Sequence, residues 1–197
     1  MIDEFAKEYL HGELRWARDA LVWKLDGLGE YEVRRPLTAT GTNLLGLVKH
    51  VAGVGAGYFG FVFDRPFPEH LAWVDDDDAE ENADLWVPAE ESTEEILALY
   101  HRVWAHADAT IEALDLEASG VVPWWGERRF VTLHQILVHV IAEINRHAGH
   151  ADILREQIDA AAGLREGVAN LPDHDEAWWQ AYRARIEEAA LAVQAKA

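Results

Sequence analysis

The chain has 197 residues, half of them hydrophobic, with 36 acidic side chains against 17 lysines and arginines and a formal net charge of -19. That length suits one domain with a real core, and that charge repels phosphate backbones and anionic lipid, which excludes nucleic acid and membrane surfaces as expected partners. There is no cysteine, so disulfides, thiolate metal ligands and a protein thiol nucleophile are excluded, and any sulfur chemistry must use a thiol brought from outside.

The N-terminal stretch MIDEFAKEYLHGELRW is acidic and amphipathic. It lacks the basic-then-apolar pattern of a secretory signal, and the cytoplasm is the expected location. The first helix is predicted from about Asp3, a plausible cap, to Leu28. Its apolar stripe is Phe5, Leu14, Ala17, Leu21, Leu25 and Leu28, and Gly27 and Gly29 supply the stop. A loop with Pro36 follows, in which Thr40 or Thr42 can cap the next helix.

The second helix is expected over roughly Asn43 to Phe63. Residues 44–63 are apolar enough to raise the question of a membrane span. Lys49 and His50 lie inside the run, however, and it reads as a buried core helix. A long connection from Asp64 to about Glu91 carries Pro66, Pro68 and Pro88. Connections of that length within a domain are often functional or mobile. Its acidic run, Asp75 to Asp78, reads as a solvated loop.

The third helix opens with Ser92 and Glu95, a capping box, and its stripe is Ile96, Tyr100, Val103, Ala107, Ile111 and Leu114. A turn with Gly120, Trp124, Trp125 and Gly126 separates it from the fourth. That helix opens with a second capping box, Thr132 and Gln135, and runs to about Ala161. A fifth helix begins after Pro172, with Asp173 as its expected cap, and includes Trp178, Trp179, Tyr182, Ile186 and Val193. No segment alternates like a half-buried strand. The expectation is all-α: a four-helix bundle with an additional C-terminal helix, residues 1–197 forming one domain.

On the fourth helix Ile136, Val140, Glu143, His147, His150 and Leu154 recur at steps of three or four, a stripe apolar at both ends. Positions i and i+4 are neighbours, so Glu143 and His147 can close on one ion, the spacing used by the helical zinc motif of metalloproteases. Such a pair is commonly a surface pair, but a carboxylate on a core-facing stripe needs a partner. His50 lies mid-way along the second helix. Its stripe neighbours are Gly46, Gly53, Val54 and Gly57, and those glycines give either close packing or room for a bound molecule. Together His50, Glu143 and His147 make a two-histidine, one-carboxylate set, the makeup of a catalytic zinc site with an open position; nickel or manganese fits as well. His139 and His150, a turn to either side, are candidates to support the set or to replace a member of it. The remaining histidines show no comparable convergence.

The stretches RRPLTATGTNLLGLVKH and LVHVIAEINRHAGHADILRE resemble the DinB-like superfamily of bacterial four-helix-bundle metalloproteins. This superfamily includes thiol-dependent S-transferases and a mycothiol-dependent maleylpyruvate isomerase. Most members hold the metal with three histidines, one on the second helix and an HxxxH pair on the fourth. Here Glu143 occupies the first position of that pair, as in the His-Glu-His set of the isomerase branch. The resemblance implies His50, Glu143 and His147 as ligands of one divalent ion, zinc first. His150 stands where many relatives have glutamine and falls outside the set. The isomerase carries a further C-terminal domain where this chain has one helix, which argues against the isomerase reaction itself. The implied activity is a metal-dependent transfer of a low-molecular-weight thiol to a small electrophile. Mycothiol comes first, on an arginine-rich composition typical of GC-rich bacterial genomes, and bacillithiol second. A metal-dependent hydrolase and a non-catalytic metal-binding stress protein are the alternatives. A homodimer is compatible with this reading.

Overall fold

Four long helices follow from the apolar periodicity: α1 (Ile2–Trp23), α3 (Leu44–Gly55), α5 (Thr93–Ala113) and α6 (Leu133–Asp159). They are seen in a computed structural model that describes residues 2–76 and 78–194, with side chains from Phe5 onward. Two short helices, α2 (Glu30–Arg34) and α4 (Ala72–Asp75), and a C-terminal α7 (Glu176–Gln194) complete the helical set. The fold is all-α and DinB-like, as expected.

Helix α1 packs on α6 and α5, and α3 packs on α5 and α6. The interior they share includes Leu14, Leu21, Leu45, Ile111, Ile136 and Ile144, all fully buried. Burying each such side chain contributes roughly 1.5–3 kcal/mol. The apolar stretch Leu44–Phe63 has 67% of its most hydrophobic window buried, as a core helix does. Both capping boxes form: Ser92 with Glu95 and Thr132 with Gln135 each satisfy two otherwise unpaired amides.

Several local expectations need correction. Helix α1 stops at Trp23, and Phe5 is 71% exposed rather than part of the core stripe. Asp3 falls inside α1, and its side chain lies outside the described residues, as does Asp77 of the acidic run. Asn43 caps α3 instead of either threonine, its Oδ1 accepting from Gly46 N at 2.7 Å. Asp175 replaces Asp173 at the start of α7, accepting from Trp178 N at 2.8 Å. The loop before α3 contains α2. The turn before α6 holds a small hairpin: β1 (Ser119–Val121) pairs antiparallel with β2 (Phe130–Thr132). Three-residue strands are too short to leave an alternating signal in sequence. A Cβ on Gly120 would stand 2.8 Å from Val62 Cγ1, so only glycine lets this hairpin lie on the end of the second bundle helix.

Helix α3 does not run straight to Phe63. It passes into a π-helical turn, Ala56–Gly60, then a short 3-10 turn, Phe61–Phe63. Asp64 reverses the chain in the left-handed region at φ 56°. Helix α7 has no buried residue, and Tyr182, Ile186, Leu191 and Val193 face solvent.

Candidate metal centre

His50 leaves α3 toward α6, where Glu143 and His147 leave successive turns of that helix. His147 Nε2 is 3.0 Å from Glu143 Oε1, and His50 Nε2 is 3.8 Å from the same oxygen. The two imidazole centroids are 4.7 Å apart. One donor atom from each of the three residues lies within 4.8 Å of the others, and this is the one such convergence among the described residues. Donors about 2.1 Å from a tetrahedral ion stand about 3.4 Å from one another, so the 3.0 and 3.8 Å separations bracket what one ion requires.

The charge states suit the same purpose. Burial works to raise the Glu143 carboxyl, but the His147 hydrogen bond and the nearby His50 and His139 outweigh it and hold the group below its ordinary range. Burial lowers the His147 imidazole, His50 adds to that, and Glu143 opposes it; the net direction is downward. An ionised carboxylate and a neutral imidazole are the forms that bind metal. His147 Nδ1 is buried without a hydrogen-bond partner. A nitrogen so placed carries a desolvation cost that nothing among the described residues offsets.

The carboxylate behind His50 was not anticipated. Asp84 Oδ2 sits 2.6 Å from His50 Nδ1, which directs the opposite nitrogen, Nε2, toward Glu143. A carboxylate on the far ring nitrogen is the usual support of a metal-ligating histidine. The His50 hydrogen bond lowers the Asp84 pKa, against a smaller upward push from burial. Asp84 comes from a short turn, Ala83–Leu85, in the long connection. That turn is seated by Asn43, whose Nδ2 donates to Leu85 O at 3.0 Å, and by buried Lys49, which donates to Trp86 O at 3.1 Å. The length of the connection was the available signal; the aspartate within it carries no pattern of its own.

Gly46 has a different role from the one expected. A Cβ there would lie 1.9 Å from Leu85 O. The glycine therefore admits the backbone of the Ala83–Leu85 turn, and with it Asp84, rather than a substrate. Gly53 faces Val74 and Trp73 at 3.2 and 3.4 Å, while Gly57 meets only Trp124, at 3.8 Å. Of the three, Gly57 borders the most open space.

Among the described residues neither His139 nor His150 is hydrogen-bonded to His50, Glu143 or His147. His150 is exposed, and its ring stands edge-on to that of His147 with centroids 5.5 Å apart. His139 Nε2 is 3.2 Å from Tyr58 Oη. Elsewhere His11 is buried against Asp108 at 2.7 Å, beside Arg18, in an ion cluster between α1 and α5.

A sequence model of the family described as Mycothiol-S-transferase matches residues 9–160. The match takes in nearly all of the four-helix bundle and all three converging residues, and stops short of α7. No curated protein matches the chain.

Proposed function

The chain belongs to the mycothiol-S-transferase family, and we propose that it joins a low-molecular-weight thiol, mycothiol before bacillithiol, to a small electrophile at a divalent metal held by His50, Glu143 and His147. The observation that carries this reading is the convergence of those three side chains, with Asp84 behind His50, in a chain that has no cysteine. Zinc suits the donor set best, and nickel or manganese also fits it. When bound, such an ion supplies a Lewis acid that favours the deprotonated form of a thiol.

The residues have distinct parts. Asp84 holds the His50 ring so that Nε2 faces the site. Glu143 brings the negative charge that two neutral imidazoles cannot. The α3 and α6 backbones fix His50 against His147, so the set is organised before any ligand arrives. Held by these three residues, an ion would keep an open position and would favour the thiolate; the thiolate sulfur bonds to the electrophilic carbon as that carbon's bond to its leaving group breaks, the leaving group departing as an anion such as chloride and the thiol proton passing to solvent. On this reading residues 1–197 act as one cytoplasmic domain whose partners are two small molecules.

The test is cobalt-substituted protein titrated with mycothiol, then with bacillithiol. A sulfur-to-cobalt charge-transfer band, together with thiol-dependent turnover of monochlorobimane that His50→Ala abolishes, is the expected result. If the protein binds metal but no thiol shifts the cobalt spectrum, the hydrolase or metal-binding alternative takes its place.

A further inference from the structure

In a chain with 36 acids against 17 lysines and arginines, a base held against the protein has carboxylates to choose from. Arg18 pairs with Asp108, Lys24 with Asp152, Arg34 with Glu30 and Arg155 with Asp159. Arg35 breaks this pattern. It is half-buried, its Nε is shielded from solvent, and among the described residues its guanidinium has neither a hydrogen bond nor an ion pair. The guanidinium carbon lies 5.9 Å from the centroid of the Tyr31 ring, at the edge of cation–π range. A cation drawn out of water without an anion carries a desolvation cost, and a bound anion would offset it.

Arg35 and Tyr31 line a cavity of about 620 Å³ between α2 and the end of the long connection. Its walls are braced. Arg34 donates to Glu30 Oε2 at 2.7 Å and, across the gap, to Pro88 O and Glu91 O at 3.0 and 2.5 Å. Glu30 also accepts from Thr93 N and Thr93 Oγ1 at 3.2 and 2.9 Å. The Arg34 and Thr93 bonds hold the Glu30 carboxyl below its ordinary range, so Arg34 and Glu30 are both committed to the frame. The cavity is thus preformed. It presents the unmatched charge of Arg35, the exposed ring of Tyr31 and the apolar surface of Pro36 and Ala89. None of His50, Glu143 and His147 lines it, so it is a site apart from the metal centre.

The charge of a fitting ligand is bounded on both sides. Arg35 supplies one unmatched positive charge, and the Nη edge of its guanidinium is a fork suited to a carboxylate. Glu90 stands on the rim and the whole chain carries -19, so a second negative charge on the ligand would be repelled rather than matched. A flat body suits a wall made of an aromatic ring and a proline. We infer that this cavity binds a small aromatic monocarboxylate, its carboxylate on Arg35 and its ring against Tyr31 and Pro36. The site stands whether or not the metal centre transfers a thiol.

The experiment titrates metal-loaded full-length protein with sodium benzoate by calorimetry, at an ionic strength fixed with sodium chloride. One saturable site per chain is expected. Arg35→Gln should weaken it about 10- to 100-fold, as loss of a charge-assisted hydrogen bond does. Ala89→Trp should block it by filling the cavity from an exposed position on the connection, leaving the core untouched. A carboxylate can also reach an open metal position, so the titration is repeated on His50→Ala protein, where binding should persist. Inorganic phosphate at about pH 8, mostly a dianion, should bind at least about tenfold more weakly than benzoate. The inference is overturned by an absence of saturable heat, by binding that survives both Arg35→Gln and Ala89→Trp, by binding lost in His50→Ala, or by phosphate bound as tightly as benzoate. Benzoate binding that behaves as described in a protein inactive with every thiol supports this site and counts against the transferase reading alone.

Discussion

Asp84 Oδ2 lies 2.6 Å from His50 Nδ1 although the two residues belong to different elements 34 positions apart. The contact exists because Gly46 lets the Ala83–Leu85 turn settle directly on α3. A bundle helix, a glycine and a loop aspartate thus form one device whose effect is to aim His50 Nε2 at Glu143. Asp84→Ala should weaken metal binding about 10- to 100-fold while leaving one site per chain. Gly46→Ala should act in the same direction, by pushing the turn away. Competition with a chromophoric chelator reads both, and a Gly46→Ala protein with unchanged affinity would separate the glycine from the site.

His50→Ala, Glu143→Ala and His147→Ala should each remove most of the bound metal from a protein that remains helical. His150→Ala should keep it, because His150 is exposed and meets the set only at a ring edge. Elemental analysis of purified variants decides this. Loss of metal in His150→Ala with retention in Glu143→Ala would reassign the ligands on α6.

Chelation should lower the melting temperature, since a ligand bound only by the folded chain stabilises it. Binding should weaken as pH falls below about 6.5, the ordinary histidine range. The lowered pKa of His147 extends the neutral imidazole to more acidic solution, so its own protonation begins below that range. A melting temperature indifferent to chelator between pH 7 and 8 would contradict the metal centre.

Acid stability should depend on Asp108. Burial works to raise its pKa, but hydrogen bonds from His11 and Arg18 prevail and hold it below the ordinary value. A carboxyl lowered in the folded state stabilises the fold above its unfolded pKa of about 3.9, and the benefit disappears as pH falls through the folded value. Asp108→Asn should therefore flatten the pH dependence of stability below about pH 4. At neutral pH it should cost about 1–3 kcal/mol by leaving buried Arg18 without its carboxylate. Urea melts across that range measure both effects.

Helix α7 should add little to the stability of the bundle, because none of its residues is buried. A chain ended at Asp175 should melt within about 2 °C of the full protein and keep its metal. A larger drop would mean that α7 packs on the bundle or on a second copy, and sedimentation of the two forms would tell these apart.

Local physics made much of this molecule legible in its sequence. Helix periodicity, two capping boxes and the four-residue step from Glu143 to His147 depend on hydrogen bonds and neighbours within one segment, and the sequence displays them directly. His50 could be picked out as the histidine of an apolar helix. Helix α7 could be drawn from its own pattern, but that pattern does not reveal that its apolar side chains remain in solvent. What only the tertiary structure decided are contacts between segments that carry no mutual signal. Asp84 is one acid among many in a long loop until Gly46 admits its turn. Tyr58 is one aromatic of an apolar helix until the packing of α6 sets His139 beside its ring, centroids 5.1 Å apart. Both outcomes depend on backbone approaches of an ångström or so, set by how whole elements pack, and residue spacing along one helix cannot encode them.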